Sequence, residues 1–302
     1  MNLTLISILL SLLCAPLFSA GGFAHAGMPD GEKPLPELNA FIARVTENLK
    51  SDRLLQSQYT YNMRETTQRL DKDGHVKKTE VHLYEVYPSL DEDMTYQRLI
   101  SENGKPVDPK KLEEEDRDYS KKAEERARKL AKDHRSEQEQ RLAEETEASQ
   151  KERKIIGELS KIYEIVLLHR EIVDNHSAIL VQFTPRPEYK PETREEKILK
   201  KIKGQALVSE TDYQIIRAEV ELVDDYSIGL GLLARVYKGA QMLFVRRKVN
   251  DEIWLPAEFH FIGSARALVF KQFRIDSTSL FSDYKKFSVT SSFEFSSRKP
   301  PN

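Results

Sequence analysis

The chain changes its rhythm of apolar and polar positions several times, and each rhythm predicts a different element. Leu3 to Phe18 is an almost unbroken apolar run, shorter than the roughly 20 residues a membrane-spanning helix needs. Leu38, Phe41, Ile42, Val45 and Leu49 recur at helical spacing and place one apolar stripe on a helix that opens near Pro36. From Tyr59 the period drops to two. Tyr59, Tyr61 and Met63 alternate with polar residues, Asp71–Gly74 is a turn, Val76–Tyr87 returns, and Met94–Ile100 adds a third strand before Asn103-Gly104, together an antiparallel meander.

Between Lys110 and Lys154 the pattern almost vanishes, with 14 basic and 14 acidic side chains in 45 positions. Glu113/Arg117, Asp118/Lys122, Glu124/Arg128, Glu125/Lys129 and Glu137/Arg141 stand four residues apart in the favourable order, each pair worth about 0.2–0.5 kcal/mol to a helix. Leu112, Tyr119, Leu130 and Leu142 do not form a heptad. The segment reads as a solvated helical insertion, or as an arm that binds a partner.

Apolar residues return at Ile155–Tyr163 as the docked end of a helix. Tyr163–Ile172 suits either a helix or a strand. Ala178–Thr184 is a strand. Thr193 and Glu196 form a capping box for a short helix with Ile198, Leu199 and Ile202 on its buried face and Gly204 as its C-terminal cap. Strands are then expected at Gln205–Ser209, Gln214–Leu222, Gly231–Tyr237, Met242–Lys248, Trp254–Phe261, Ala267–Ile275 and Phe287–Phe295. Asp212, Asp224-Asp225, Gly239, Asn250-Asp251 and Gly263 mark the turns. Nothing of helix length separates these strands, which excludes parallel βαβ units and leaves one antiparallel meander. Alternation of Glu219, Glu221 and Val223 with Ala218, Val220 and Leu222 gives the sheet one dry face and one wet face.

Ala24-His25-Ala26 follows the first apolar run as a small-x-small cleavage site, so residues 1–26 are expected to be a cleavable signal peptide and the protein periplasmic, in a Gram-negative-type envelope. An uncleaved anchor is the competing reading. Cys14 is the only cysteine and follows Leu13, where a lipid-modified cysteine follows a small residue, so disulfides contribute nothing to the mature chain. The net charge of −2 implies no general attraction to nucleic acid.

Candidate chemistry is sparse. Gly229-Leu230-Gly231-Leu232-Leu233-Ala234 spells a dinucleotide fingerprint, but strand pattern follows it where a helix is required. No H-E-x-x-H, G-x-S-x-G or phosphate loop occurs. Glu258 and His260 share a strand face but lack a third ligand. No catalytic residue, metal ligand or cofactor is expected. Lys197, Lys200, Lys201 and Lys203, and Arg246, Arg247 and Lys248, are basic clusters within reach of anionic head groups or simply solvated. Aromatic residues concentrate in the strands.

Phe183-Thr184-Pro185-Arg186-Pro187, then Ile202–Val208, Thr211–Glu219, Val249-Asn250-Asp251-Glu252-Ile253-Trp254-Leu255-Pro256 and Phe281–Phe287 follow the helix and meander in an order that resembles the outer-membrane lipoprotein-sorting protein superfamily. That superfamily includes the periplasmic lipoprotein carriers and the sigma-E regulatory periplasmic protein. The resemblance covers about residues 36–105 and 155–290, and 108–154 departs from it. It implies an α+β fold, a curved antiparallel β half-barrel (an unclosed barrel) wrapped around helices, over 27–302 as one domain interrupted by the long charged helical insertion 108–154. It implies a non-enzymatic carrier or sensor of lipid or lipoprotein acyl chains in an apolar cavity. Phe183, Trp254, Phe259 and Phe261 are the expected ligand-binding residues. The alternative is an envelope adaptor whose charged arm binds a protein partner, and peripheral membrane contact fits either.

Overall fold

A computed structural model describes residues 33–48, 55–89, 94–132, 159–228, 234–267 and 271–287. The expected signal peptide, the strand beyond Phe287, most of the Gly229–Ala234 motif and residues 133–158 lie outside them.

Helix α1 (Leu38–Asn48) begins where Glu37 turns its carboxylate onto two free backbone donors. The Asn39 and Ala40 N–H groups donate to it at 2.9 and 2.7 Å, as an N-terminal cap should. Strands β1 (Tyr59–Leu70), β2 (Val76–Tyr87), β3 (Tyr96–Glu102) and β4 (Lys105–Pro106) follow, then helix α2 (Pro109–Lys132). After β5 (Tyr163–Val173) and β6 (His176–Pro185) comes helix α3 (Arg194–Leu199). The chain ends with β7 (Ile202–Ser209), β8 (Ile215–Leu222), β9 (Tyr226–Ile228), β10 (Ala234–Val236), β11 (Gln241–Val249), β12 (Ile253–Ala267) and β13 (Lys271–Lys286).

All described strands join one antiparallel, unclosed sheet in the order β4-β3-β2-β1-β13-β12-β11-β8-β7-β6-β5, with β10 beside the end of β12 and β9 beside β10. The two expected meanders are both present, and they are joined edge to edge in this one sheet. The first runs outward from β1 to one edge. The chain then reaches the opposite edge at β5 and works back inward, and the last strand lies against the first, with Met63 facing Phe281 and Leu70 facing Arg274. The charged segment is thus the crossover between the two edges. The path is about 48 Å along the sheet at about 4.8 Å per strand, and α2 alone supplies about 36 Å of length.

Several boundaries differ from the sequence reading. Tyr163–Val173 is a strand, the choice that period alone left open. Thr193 caps α3 through its hydroxyl, which accepts from Glu196 N–H at 3.2 Å, but the helix ends at Leu199 with Lys200 as its C-cap in right-handed geometry. Gly204 lies instead inside β7, where a Cβ would stand 2.0 Å from the Glu219 carbonyl oxygen and 2.8 Å from Val220 Cγ1. Gly263 is likewise inside β12, not at a turn, and a Cβ there would meet Ala240 Cβ at 2.8 Å. In both places glycine serves close approach. Asn250 and Asp251 do turn the chain, with φ of 53° and 55°.

Strand alternation defines the two faces. β8 reads intermediate-buried throughout. Its buried Ala218, Val220 and Leu222 join Ile179, Val181, Ile202, Ala206 and Val208 under Phe41 and Val45 of α1. This helix-bearing side is the inner face. The outer face carries rows such as Gln182–Gln205–Glu219, which explains its contact with water. Gly204→Ala should lower unfolding stability by about 1–3 kcal/mol, the usual cost of overpacking. Urea denaturation with an unchanged slope checks this, and wild-type stability would contradict the assigned close approach.

Candidate functional site

The register carries one inner-face row across ten strands: Leu167, Val181, Ala206, Ala218, Phe244, Phe259, Ser279, Glu65, His82 and Glu102. The neighbouring row runs Ile165, Phe183, Gly204, Val220, Met242, Phe261, Ser277, Thr67 and Glu80. Both change character between β12 and β13. From β5 to β12 they are apolar, and from β13 to β3 they carry hydroxyls, carboxylates and one imidazole.

Helix α1 covers part of the apolar half. Phe244 is 5% exposed, while its neighbours Phe259 and Phe261, and Phe183 in the second row, keep intermediate exposure. Phe183 meets Tyr163 edge-on at 5.3 Å. The polar half is internally bonded. Thr67 and Ser277 hydroxyls lie 2.9 Å apart, and His82 stands 3.6 Å from Glu102 and 4.0 Å from Glu65. The inner face is therefore amphipathic along one direction, an apolar floor that ends at a polar band.

Three of the four sequence-predicted binding residues share this floor. Trp254 does not. It is 2% exposed and packs with Ala178, Leu207 and Ile216, positions that alternate with Ile179 and Val208 of the inner core. Its indole N–H donates to Asp212 Oδ2 at 2.8 Å, Lys248 donates to the same oxygen at 2.9 Å, and the His176 ring meets it edge-on at 5.1 Å. Burial of Asp212 opposes its ionisation, but the hydrogen bonds from Lys248 and Trp254 outweigh it and hold the carboxyl below its ordinary value. Arg246, also buried, donates to the Gln214 side chain at 3.1 Å and to the Trp254 carbonyl at 2.5 Å. Trp254 and the Arg246–Lys248 cluster thus pin a hairpin end.

The other basic cluster is also engaged. Lys200 donates to the Pro187 carbonyl at 2.9 Å, Lys201 pairs with Asp224 at 2.8 Å and Lys203 with Glu221 at 3.0 Å. His260 bonds Asp276 at 2.7 Å. Asp71, Asp73 and His75 converge at an exposed hairpin turn, where Asp71 accepts from the Asp73 and His75 backbone N–H groups. That bonding belongs to the turn itself.

Helix α2 is seated on β3, next to the short edge strand β4. Tyr119 stacks on Tyr96 at 4.3 Å, and its hydroxyl donates to the Met94 carbonyl at 3.1 Å. Arg98 forks onto Asp116 at 2.9 and 3.0 Å and reaches Glu85 at 3.0 Å. Tyr96 adds a 2.8 Å bond to Asp116, and burial, the larger effect, raises its hydroxyl pKa. Tyr119 was visible in the sequence as one of four large apolar residues, but its partner Tyr96, and Arg98, the partner of Asp116, carry no local signal.

No protein-family model and no curated protein sequence matches the chain. Solved structures do. A LolA superfamily protein, NE2245 from Nitrosomonas europaea, is 12% identical over 84% of this chain and 96% of its own, at a TM-score of 0.30. A putative outer membrane lipoprotein-sorting protein domain from Vibrio parahaemolyticus is 9% identical over 83% and 95%, at 0.31. MucB, solved in complex with MucA(peri), is 8% identical over 82% and 94%, at 0.23. The chain is similar to these over nearly their whole length, and similarity at this level carries no inference about ligand or partner.

Two outcomes follow from the site. Asp212→Ala leaves the buried Trp254 N–H without its acceptor and should cost about 1–3 kcal/mol at neutral pH. Because the Asp212 pKa is depressed in the folded protein, its contribution is complete above its ordinary 3.8 and is lost as pH falls through the depressed value. Melting temperature should therefore fall less steeply below pH 4 in the variant, as calorimetry across pH 2.5–7 would show (a range set by the ordinary carboxylate values, about 3.9–4.3). Separately, Arg98→Leu should raise hydrogen exchange over residues 109–120 while leaving the β7–β8 core protected.

Proposed function

We propose that residues 27–302 form one envelope domain, exported by residues 1–26, that carries or senses the acyl chains of a lipid or lipoprotein without catalysing a reaction. The observation that supports this reading is the division of the inner face. Part-exposed Phe259 and Phe261 stand beside Phe244 and Met242, and part-exposed Phe183 lies further along the same row, on a floor that ends at Ser277, Ser279, Thr67 and His82. An acyl chain laid on this floor leaves water, gaining about 0.8 kcal/mol per buried CH₂. Its polar head meets hydroxyls and charges at the band, where hydrogen bonds replace hydration. Phe183, Phe259 and Phe261 supply the contact. Trp254 acts structurally, because its ring is committed to Asp212.

A second reading rests on helix α2. Its seat on β3 uses Asp116 and Tyr119, and the charged residues Lys121, Lys122, Glu124, Glu125, Arg128 and Lys129 beyond it are exposed. A protein partner in the envelope could bind there.

Mature protein purified from its own envelope is the test. Native mass spectrometry followed by organic extraction should reveal bound lipid or acylated peptide. Phe261→Lys should weaken uptake of a fluorescent fatty acid at least about tenfold, since two lost methylenes cost about 1.6 kcal/mol and tenfold is about 1.4 kcal/mol. Leu280→Lys, on the outer face, should leave uptake unchanged. A protein that stays ligand-free and takes up neither fatty acid nor lipopeptide would overturn the carrier reading.

A further inference from the structure

The two edges of the sheet are built differently. At one, β4 is two residues long and contains Pro106, and α2 packs on β3 beside it, which are common ways of closing an edge to foreign strands. At the other, β5 runs eleven residues, Tyr163-Glu164-Ile165-Val166-Leu167-Leu168-His169-Arg170-Glu171-Ile172-Val173, and among the described residues it pairs with β6 alone.

This open edge is also where apolar surface collects. Of the six large hydrophobic side chains exposed among the described residues, Val166 (42%), Leu168 (38%) and Ile172 (71%) belong to β5. A fourth, Leu35, follows Lys33 and Pro34, whose carbonyls accept from Arg170 of β5 at 2.6 and 3.4 Å. The edge is also rigid. Arg170 forks onto Glu210 with two 2.7 Å bonds, and Glu210 accepts from Ser177 at 2.8 Å. A long, fixed, apolar strand edge is a template for strand addition.

The chemistry of the edge selects its occupant. An unpaired strand presents backbone N–H and C=O groups in a repeating array, and an extended polypeptide matches that array where an acyl chain offers nothing to it. The charge of the edge is negative. Arg170 is neutralised by Glu210, Glu171 is held by His169 at 2.8 Å, and exposed Glu164 has no ion pair among the described residues. A second copy of β5 would therefore bring acidic side chains toward acidic side chains wherever the two strands pair about the bulge between Leu167 and His169.

We propose that β5 is a docking edge for an extended segment of another protein, with apolar residues facing Val166, Leu168 and Ile172 and a lysine or arginine facing Glu164. This surface adjoins the β5 end of the apolar floor but uses none of Phe183, Phe259 and Phe261.

The test uses the full mature chain and a synthetic ten-residue peptide of alternating valine and threonine ending in lysines, with an identical peptide ending in glutamates. The lysine peptide should bind by fluorescence anisotropy, at least tenfold tighter than the glutamate one. Hydrogen exchange should then show new protection of β5 amides. The double variant Val166→Lys, Leu168→Lys should bind at least tenfold more weakly with an unchanged melting temperature, and Glu164→Lys should erase the preference for lysine ends. Three results would overturn the proposal: no binding at about millimolar peptide, binding without protection of β5, or β5 amides already protected before peptide is added. In the last case light scattering would assign the edge to a second copy if the protein is dimeric, or to another part of the same chain if it is monomeric.

Discussion

The rest of the structure depends on the pairing of the first strand with the last. β1 and β13 join over eleven matched positions between Tyr59 and Leu70, and through them a meander built near the amino terminus fuses with a longer one built at the carboxyl terminus. Without that ladder each meander would have another edge, and the inner rows could not pass from an apolar half into a polar half. The pairing brings together residues more than 200 positions apart, so it is costly in loop entropy and forms late in folding unless other contacts shorten the loop. Helix α1 supplies such contacts. It precedes β1 in sequence yet packs on β6, β7 and β8, which holds the amino-terminal part against the carboxyl-terminal part.

The same topology changes the meaning of the charged segment. It departs from β4 at one edge and returns at β5 at the other, so it is a required crossover before it is anything else. Its composition suits that task. Charged residues keep a long helix soluble over most of its surface, and one aromatic and one fork-shaped contact, Tyr119 on Tyr96 and Asp116 on Arg98, fix where it lies. Removing the segment outright would ask the two edges to join directly, so point changes at Arg98 are the cleaner way to separate its structural and binding parts.

Much of the architecture was legible in the sequence because it rests on local signals. Alternation gave β2, β8 and β11 closely, the Asn103-Gly104 and Asn250-Asp251 turns needed their residue types, and Thr193 with Glu196 announced the start of α3. What the sequence concealed was relational. Gly204 and Gly263 look like caps and turns, since nothing in their flanks shows that another strand passes within van der Waals distance. The β1–β13 partnership leaves no local mark. Phe183, Phe259 and Phe261 were recognisable as strand aromatics, but their shared floor appears only once register is known. Trp254 looked equivalent to them, and only the approach of Asp212 from another hairpin separates it. The polar band went unread because Glu65, His82, Ser277 and Ser279 come from three separate strands.

Under the proposed function, acyl chains lie on the apolar floor with their heads at the polar band. Photocrosslinking with a fatty acid that carries a diazirine near its methyl end, followed by peptide mapping, tests this most directly. Labels are expected at Phe183, Phe259, Phe261 and Met242, with competition by unlabelled fatty acid. Labels on the outer face, around Leu280 or along α2, or labels that unlabelled fatty acid does not reduce, would contradict it.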